Sequence, residues 1–516
     1  MFVDARNLPQ GFAVNADICI VGAGAAGITI ARDLASGNRT VAVFESGSFD
    51  FDAETQKLYA GEVVGVAYTP LEADRLRYLG GSTNHWQGSC RQFDALDLAD
   101  WPIGLDVLEP YYRRAHTVCQ LGPYTFDPND WTTDDAAPLD LGPEARLKSG
   151  LFQYSPPTRF GTVYRSDLAA AERVTVYLNA NVVQINTNDS ASTVTGLELA
   201  CLNGTRFHAR AKQYILAAGG IENVRLLLNS DRVQKSGLGN GFDLVGRYFM
   251  DHADVPAAAT IFADPARVEL GFYDHHEVRG HTIEGYFSLS DELRLKEQLP
   301  AFAIGIRPAG AATEMGVGNI TLPPWLRGVM SDRVANAFTY NLPRWLDRVD
   351  APAKWLYGKM WREPPGTFFT VFTCGPDPDP QSRVTLTDTV DALGVRESRL
   401  NWRLPADFEQ KMRRAHELLG QELGRTGLGR LRIESSATTG YDPMRNLGEG
   451  NHHMGTTRMH NDPHHGVVDA NCRMHGISNL YIAGSSVFPS YACDDPTLTI
   501  VALALRLSDH LNAMAT

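Results

Sequence analysis

The chain has 516 residues, 43% hydrophobic and 21% charged, an ordinary globular balance with length enough for two or three domains. Its net charge of −13, without any basic run, argues against a polyanionic partner such as nucleic acid. Seven scattered cysteines with no C-x-x-C argue against a disulfide framework or thiolate metal site, and neither a signal peptide at Met1 to Gly11 nor an apolar run of membrane-spanning length is evident, so a soluble cytoplasmic protein is expected.

In chain order, Asp17 to Val21 reads as a short buried strand. Gly22-Ala23-Gly24-Ala25-Ala26-Gly27 follows at once, then a helical apolar pattern from Ile28 to Leu34. Val41 to Phe44 is a second strand, closed by the acid Glu45. This is G-x-G-x-x-G in the strand–turn–helix–strand context that binds a dinucleotide. Gly22 allows the turn, Gly24 lets the backbone approach a pyrophosphate, and Gly27 lets helix and strand pack closely. Glu45 can accept bonds from ribose hydroxyls. The pattern does not separate NAD, NADP and FAD. Further on, Gly80-Gly81-Ser82-Thr83-Asn84-His85-Trp86 pairs permissive glycines with small polar residues, a nucleophilic nitrogen and a flat ring. Leu108 to Leu121 reads as a helix, and residues 122 to 144, rich in Pro, Asp and Gly, as a surface loop. Thr175 to Ile185 reads as a strand pair. Val194 to Ala200 and Arg206 to Leu216 flank the hairpin signal Asn203-Gly204. The second run delivers Ala217-Ala218-Gly219-Gly220 to a helix from Ile221 to Leu228, a second close backbone approach. Residues 253 to 441 carry alternating aromatic runs (Thr282 to Leu289, Phe302 to Ile306, Thr367 to Thr373) that suggest an antiparallel sheet, with Trp325, Trp345, Trp355 and Trp361 among them.

Chemistry concentrates at the far end. Asn451-His452-His453-Met454-Gly455 is followed by His460, His464, His465 and His475, whose spacing makes no recognised metal motif. A strand from Leu480 to Ala483 runs into Gly484-Ser485-Ser486. Pro496 to Leu511 reads as an amphipathic helix with Asp495 as a candidate N-cap, and Thr497 stands in the first turn, where free N–H groups can face an anion.

Together, the segments Asp17 to Glu45, Gly80 to Gly88, Asp100 to Leu121, Tyr214 to Leu228, Leu244 to His252 and Asn451 to the C-terminus resemble the glucose–methanol–choline (GMC) oxidoreductases. The Tyr78 to Trp86 and His452 to Met459 tracts are most similar to the branch holding pyranose oxidases and sugar dehydrogenase large subunits. The resemblance implies an α/β fold: a discontinuous Rossmann-like FAD-binding domain (1–252 and 442–516, with insertions near 50–75 and 122–165) and an inserted α+β substrate domain (253–441) built on an antiparallel sheet. It implies FAD contacts from Gly22, Gly24, Gly27, Glu45, Val182, Ala217, Gly219, Gly484, Ser485 and Thr497. Ser82, Asn84, His85 and Trp86 would lie along the isoalloxazine, with His85 a candidate for a covalent bond to it. His452 matches the family's general base, and His453 is assigned to packing or rim.

The family's second catalytic residue, usually His or Asn, corresponds here to Asp495. An ionised carboxylate cannot donate a hydrogen bond to the substrate oxygen as Asn does. Three readings stand: a protonated Asp495 that donates, an acid that orients His452, or an N-cap with altered activity. The implied activity is oxidation of a CH–OH group of an alcohol, sugar, glycoside or polyol. No cysteines lie between Gly150 and Asp167 to hold an iron–sulfur cluster, so the implied electron acceptor is oxygen, a quinone or another soluble molecule. Alternatives are a flavin-dependent lyase or decarboxylase on the same fold, and an FAD-binding protein with little turnover.

Overall fold

The computed structural model describes residues 1–142, 144–264, 268–308, 367–433 and 447–514. Its organising element is a six-stranded, wholly parallel sheet in the order Phe2–Asp4, Val174–Leu178, Val41–Phe44, Ile18–Val21, Gln213–Leu216, Leu480–Ile482. The three central apolar runs are buried at essentially every residue, as strands covered on both faces must be. The chain order reverses between Ile18–Val21 and Gln213–Leu216. That is the switch point outside whose carboxyl ends open α/β sheets bind ligands.

The helix Ala25–Leu34 follows the glycine turn. Gly22 sits at φ +100°, and a Cβ there would lie 2.6 Å from the Ala217 carbonyl oxygen. A Cβ on Gly27 would collide with the Gly22 carbonyl oxygen. Both glycines are therefore demanded by close backbone approach. The last helix, Thr497–Ala513, packs against both Ala25–Leu34 and Leu105–Val118. Squeezed between two helices, it is buried nearly all round rather than along one stripe, which corrects the amphipathic expectation. Its N-cap position is held by Pro496, and no side chain caps it, so Asp495 is not the cap.

A second sheet is antiparallel, running Gly429–Ile433, Ala253–Phe262, Thr367–Cys374, Phe302–Pro308, His281–Leu289, Leu147–Tyr154, Ser89–Cys90. The three runs read as antiparallel strands are all in it. It also recruits Leu147–Tyr154 from the first third of the chain. Trp325, Trp345, Trp355 and Trp361 lie outside the described residues.

Two stretches, the expected strand pair Thr175 to Ile185 and the run Arg206 to Leu216, divide between sheets. Val174–Leu178 joins the parallel sheet, whereas Asn181–Thr187 starts a four-stranded sheet with Val194–Ala200, Arg206–Arg210 and Ala13–Asn15. Val194–Ala200 and Arg206–Arg210 form the expected hairpin over Asn203-Gly204, and the chain then crosses to the parallel sheet at Gln213. Residues 122–144 are not wholly surface: Trp131 is fully buried, its indole N–H bonded to the Thr125 carbonyl at 3.1 Å.

Candidate active site

The cofactor cradle forms where the parallel strands end. The first N–H groups of Ala25–Leu34 have no intrahelical acceptor and carry the helix's positive end. The Gly80 N–H donates to the Ala23 carbonyl at 2.8 Å, so the Gly81–Asn84 turn is tied onto the glycine loop. Glu45 is buried; its carboxylate accepts the Ala23 and Gly47 N–H groups, both at 2.9 Å, and burial pushes its pKa up. Val182 follows Asn181, the first residue of the next sheet, whose amide oxygen accepts from the Ser46 hydroxyl, so it stands at the Glu45 end of the cradle. The Ala217 N–H donates to Val21 at 2.8 Å. Ser485 donates from its hydroxyl to the His453 carbonyl at 2.7 Å, and its own carbonyl accepts the Gly455 N–H. Thr497 is the first residue of the last helix.

FAD fits these residues. A Cβ built on Gly24, Gly219 or Gly484 would meet nothing within 4 Å, although each follows a strand whose last three residues are buried. That leaves room for a ligand at three strand ends. Ser82 and His85 are exposed beside buried Thr83 and half-buried Gly81, Asn84 and Trp86, which places them on the wall of a cleft. The His85 ring has no hydrogen-bond partner among the described residues, and burial, followed by the Arg159 charge, lowers its pKa to about 4. Asn84 turns back, its amide donating to the Leu79 carbonyl at 2.9 Å, and thereby holds the turn. Trp86 is fixed by its indole N–H to the Thr158 carbonyl at 2.9 Å and by an edge contact with Phe160.

The histidine centre is built by two antiparallel segments. Residues 253–254 pair with 448–449, and Met250 pairs with Met454. Between these pairings the ladder opens, and Asn451 takes φ +57°. The Asp251 carboxylate takes the place of the missing ladder bonds. It accepts the His252 N–H at 2.7 Å and the His452 N–H at 2.8 Å, as well as the Tyr68 hydroxyl. Burial pushes the Asp251 pKa up to about 7.

The two histidine rings meet edge to face, Nδ1 to Nδ1, at 2.8 Å. His252 Nε2 lies 2.8 Å from the Ala492 carbonyl oxygen. His452 Nε2 faces Asp495 Oδ1 at 3.6 Å. Burial lowers His452 to about 3 and raises the Asp495 pKa, so both shifts favour the uncharged pair. The preceding residue, Asp494, is fully buried and paired with Arg91 at 3.3 Å. His453 points away from the centre: its Nε2 is 3.1 Å from buried Asp74, and its ring packs against Tyr68 and Phe249. His464 and His465 stand on an exposed turn made by Asp462.

The structure thus brings together the two residues expected to be catalytic, His452 and Asp495, and rejects the N-cap reading of Asp495. Sequence reasoning did not single out His252, Asp251 or Tyr68. The signal available was Asp251-His252 itself, an acid–histidine pair at the end of a segment matching the family.

A parallel sheet with a glycine cradle at its switch point, together with a partly exposed histidine–carboxylate pair backed by buried His252, defines a dinucleotide-dependent oxidoreductase. Residues 17–236 match the FAD dependent oxidoreductase model, and residues 378–504 the GMC oxidoreductase model. The chain is 22% identical to the fructose dehydrogenase large subunit of Gluconobacter japonicus, covering 96% of this chain and 98% of that one. It is 24% identical to the 2-methyl-1,2-propanediol dehydrogenase of Mycolicibacterium austroafricanum, covering 96% and 95%. Its fold is similar to that of pyridoxine 4-oxidase from Mesorbium loti, at a TM-score of 0.61 and 17% identity over 97% of this chain and 99% of that one. The FAD dependent oxidoreductase match takes the first part of the chain and the GMC oxidoreductase match its last part, and the chain is an FAD-dependent oxidoreductase. Among the described residues, no helix is long and apolar enough to cross a membrane.

Proposed function

We propose that this enzyme oxidises a CH–OH group of an alcohol, sugar, glycoside or polyol to a carbonyl. Bound FAD supplies the hydride acceptor. His452 Nε2 takes the hydroxyl proton as the carbon–hydrogen bond breaks. Asp495, protonated, donates its O–H to the same oxygen and stabilises the negative charge that builds there. The observation that carries this is the His452–Asp495 contact at 3.6 Å, two groups whose surroundings both favour the neutral form. A neutral imidazole can accept a proton, and a neutral carboxyl can donate a hydrogen bond as the family's Asn does.

The substrate class is supported by the relatives, whose names state fructose and a diol as what they oxidise, and which match over nearly their whole length. We assign cofactor binding to residues 1–252 and 442–516 and the substrate face to 253–441, with oxygen, a quinone or another soluble molecule as electron acceptor. The cradle residues named above would hold the FAD, and His85, neutral and without a ring partner among the described residues, would carry a covalent bond to it.

The test is an anaerobic panel of alcohols, sugars and polyols added to the oxidised holoenzyme. Loss of the visible flavin band with one of them, and formation of the matching carbonyl, is expected. Carbonyl or alkene formation with the flavin left oxidised would instead identify a lyase.

A further inference from the structure

We propose that His252 is a positioning residue: by accepting the Nδ1 proton of His452 it selects the tautomer that leaves Nε2 bare, and it is itself set by the Ala492 carbonyl. This rests on the assignment of His452 as base.

The inference follows from counting protons along one line of contacts. A backbone carbonyl only accepts, so the nitrogen 2.8 Å from Ala492 O must carry a hydrogen; that nitrogen is His252 Nε2. His252 is 1% exposed and no carboxylate is hydrogen-bonded to its ring; burial, with the neighbouring His452, opposes its charge and outweighs Asp495 and the Ala492 carbonyl, which favour it. In the neutral ring the remaining nitrogen, Nδ1, is an acceptor. Its partner at 2.8 Å, His452 Nδ1, must then be the donor. A neutral His452 with its proton on Nδ1 has its lone pair on Nε2, the nitrogen that faces Asp495.

The other assignments fail on the same count. If His252 donated through Nδ1, either it would be a buried cation or its Nε2 lone pair would face a carbonyl lone pair. Either arrangement leaves a buried charge or a buried polar group without a partner, which the paired arrangement avoids. The same three side chains have the donor types of a metal site, but protons alone account for both contacts of His252. The line is held from the backbone as well. Asp251 grips the N–H groups of both histidines, and the Tyr491 hydroxyl donates to the Asp251 carbonyl at 2.7 Å. Tautomer choice through the second ring nitrogen is the general way an imidazole is prepared for its task.

The experiment is nitrogen NMR of the oxidised holoenzyme labelled with ¹⁵N-histidine, with the His452 signals assigned by their loss in His452→Gln. In the native enzyme His452 is expected to show a protonated Nδ1 and a bare Nε2. His252→Phe removes the acceptor while keeping a ring; the His452 proton is expected to move to Nε2, and flavin reduction to slow about 100-fold or more. His252→Asn puts a carbonyl oxygen where Nδ1 was; tautomer and rate, within about tenfold, are expected to return. A native His452 protonated on Nε2, or a His252→Phe holoenzyme with unchanged tautomer, would overturn the proposal. If the Phe variant does not retain FAD, the native spectrum and the Asn variant decide alone. Because the tautomer is read without substrate, its failure is separable from failure of the base assignment, which only turnover tests.

Discussion

Replacing Asp495 by Asn isolates the role of its proton. In the native enzyme Asp495 lies 3.6 Å from His452 Nε2, and burial holds its pKa above the ordinary carboxylate value. Below that raised pKa the group is neutral and donates to the substrate oxygen; as pH rises through it, the donor is lost and a full negative charge appears. At an effective dielectric of about 20, two unit charges 3.6 Å apart interact by about 4–5 kcal/mol. Half a charge on the reacting oxygen would then cost roughly 2 kcal/mol, or about 30-fold in rate. Loss of one preorganised donor adds about 100-fold to 1000-fold. Native flavin reduction should therefore fall by at least about 100-fold across the Asp495 titration. His452, lowered to about 3, contributes no limb in the neutral range. Asn donates at every pH, so Asp495→Asn should remove the descending limb, stay within about tenfold of the native rate in acid, and exceed it in alkali. The assay is anaerobic stopped-flow bleaching of the flavin from about pH 5 to 9 with the best substrate of the panel. An Asp495→Asn profile that descends over the same range as the native one would refute the donor role.

Three further outcomes are expected. Gly27→Ala forces a methyl against the Gly22 carbonyl, an overpacking worth about 1–3 kcal/mol or more; the purified protein should carry less FAD and melt lower, and unchanged cofactor content and Tm would contradict this. Asp251 has a native pKa of about 7, above its ordinary value near 4, so its contribution to stability is fully present below about pH 4 and is lost as pH rises through 7. Asp251→Asn keeps an oxygen for the two histidine N–H groups and should shrink the difference in urea midpoint between about pH 5 and 8; an unchanged difference would count against it. Acid precipitation of the holoenzyme should leave the yellow colour in the pellet, whereas colour in the supernatant would refute a bond through His85.

Much of the cradle is legible locally. Gly22, Gly27 and Glu45 do their work within one strand–turn–helix–strand unit, and the steric reasons for the two glycines can be stated before any coordinates exist. His452 and the Gly81–Asn84 turn are legible through family resemblance. The rest depends on contacts between distant segments. His252 meets His452 across 200 positions of sequence, at a gap in a ladder that no periodicity reveals. Asp495 before Pro496 has the local chemistry of an N-cap, but the chain turns its carboxylate toward His452 instead. The last helix carries polar residues at positions that suggest a wet face. Two flanking helices cover that face, and Thr499, for one, is satisfied by the Tyr112 hydroxyl at 2.8 Å. The six-stranded and four-stranded sheets exchange segments at Asn179–Asn181 and Ala211–Gln213, and β-prone residues on both sides of each point do not say which sheet a strand joins.

The most direct test of His452 as the base is the anaerobic rate of flavin reduction in His452→Gln, measured on holoenzyme whose FAD content matches the native protein. Glutamine fills the space and can hydrogen-bond the substrate, but it cannot take its proton. The rate is expected to fall by about 100-fold to 10,000-fold with substrate binding little changed. A rate within about threefold of native would show that the proton leaves by another route and that His452 is not the base.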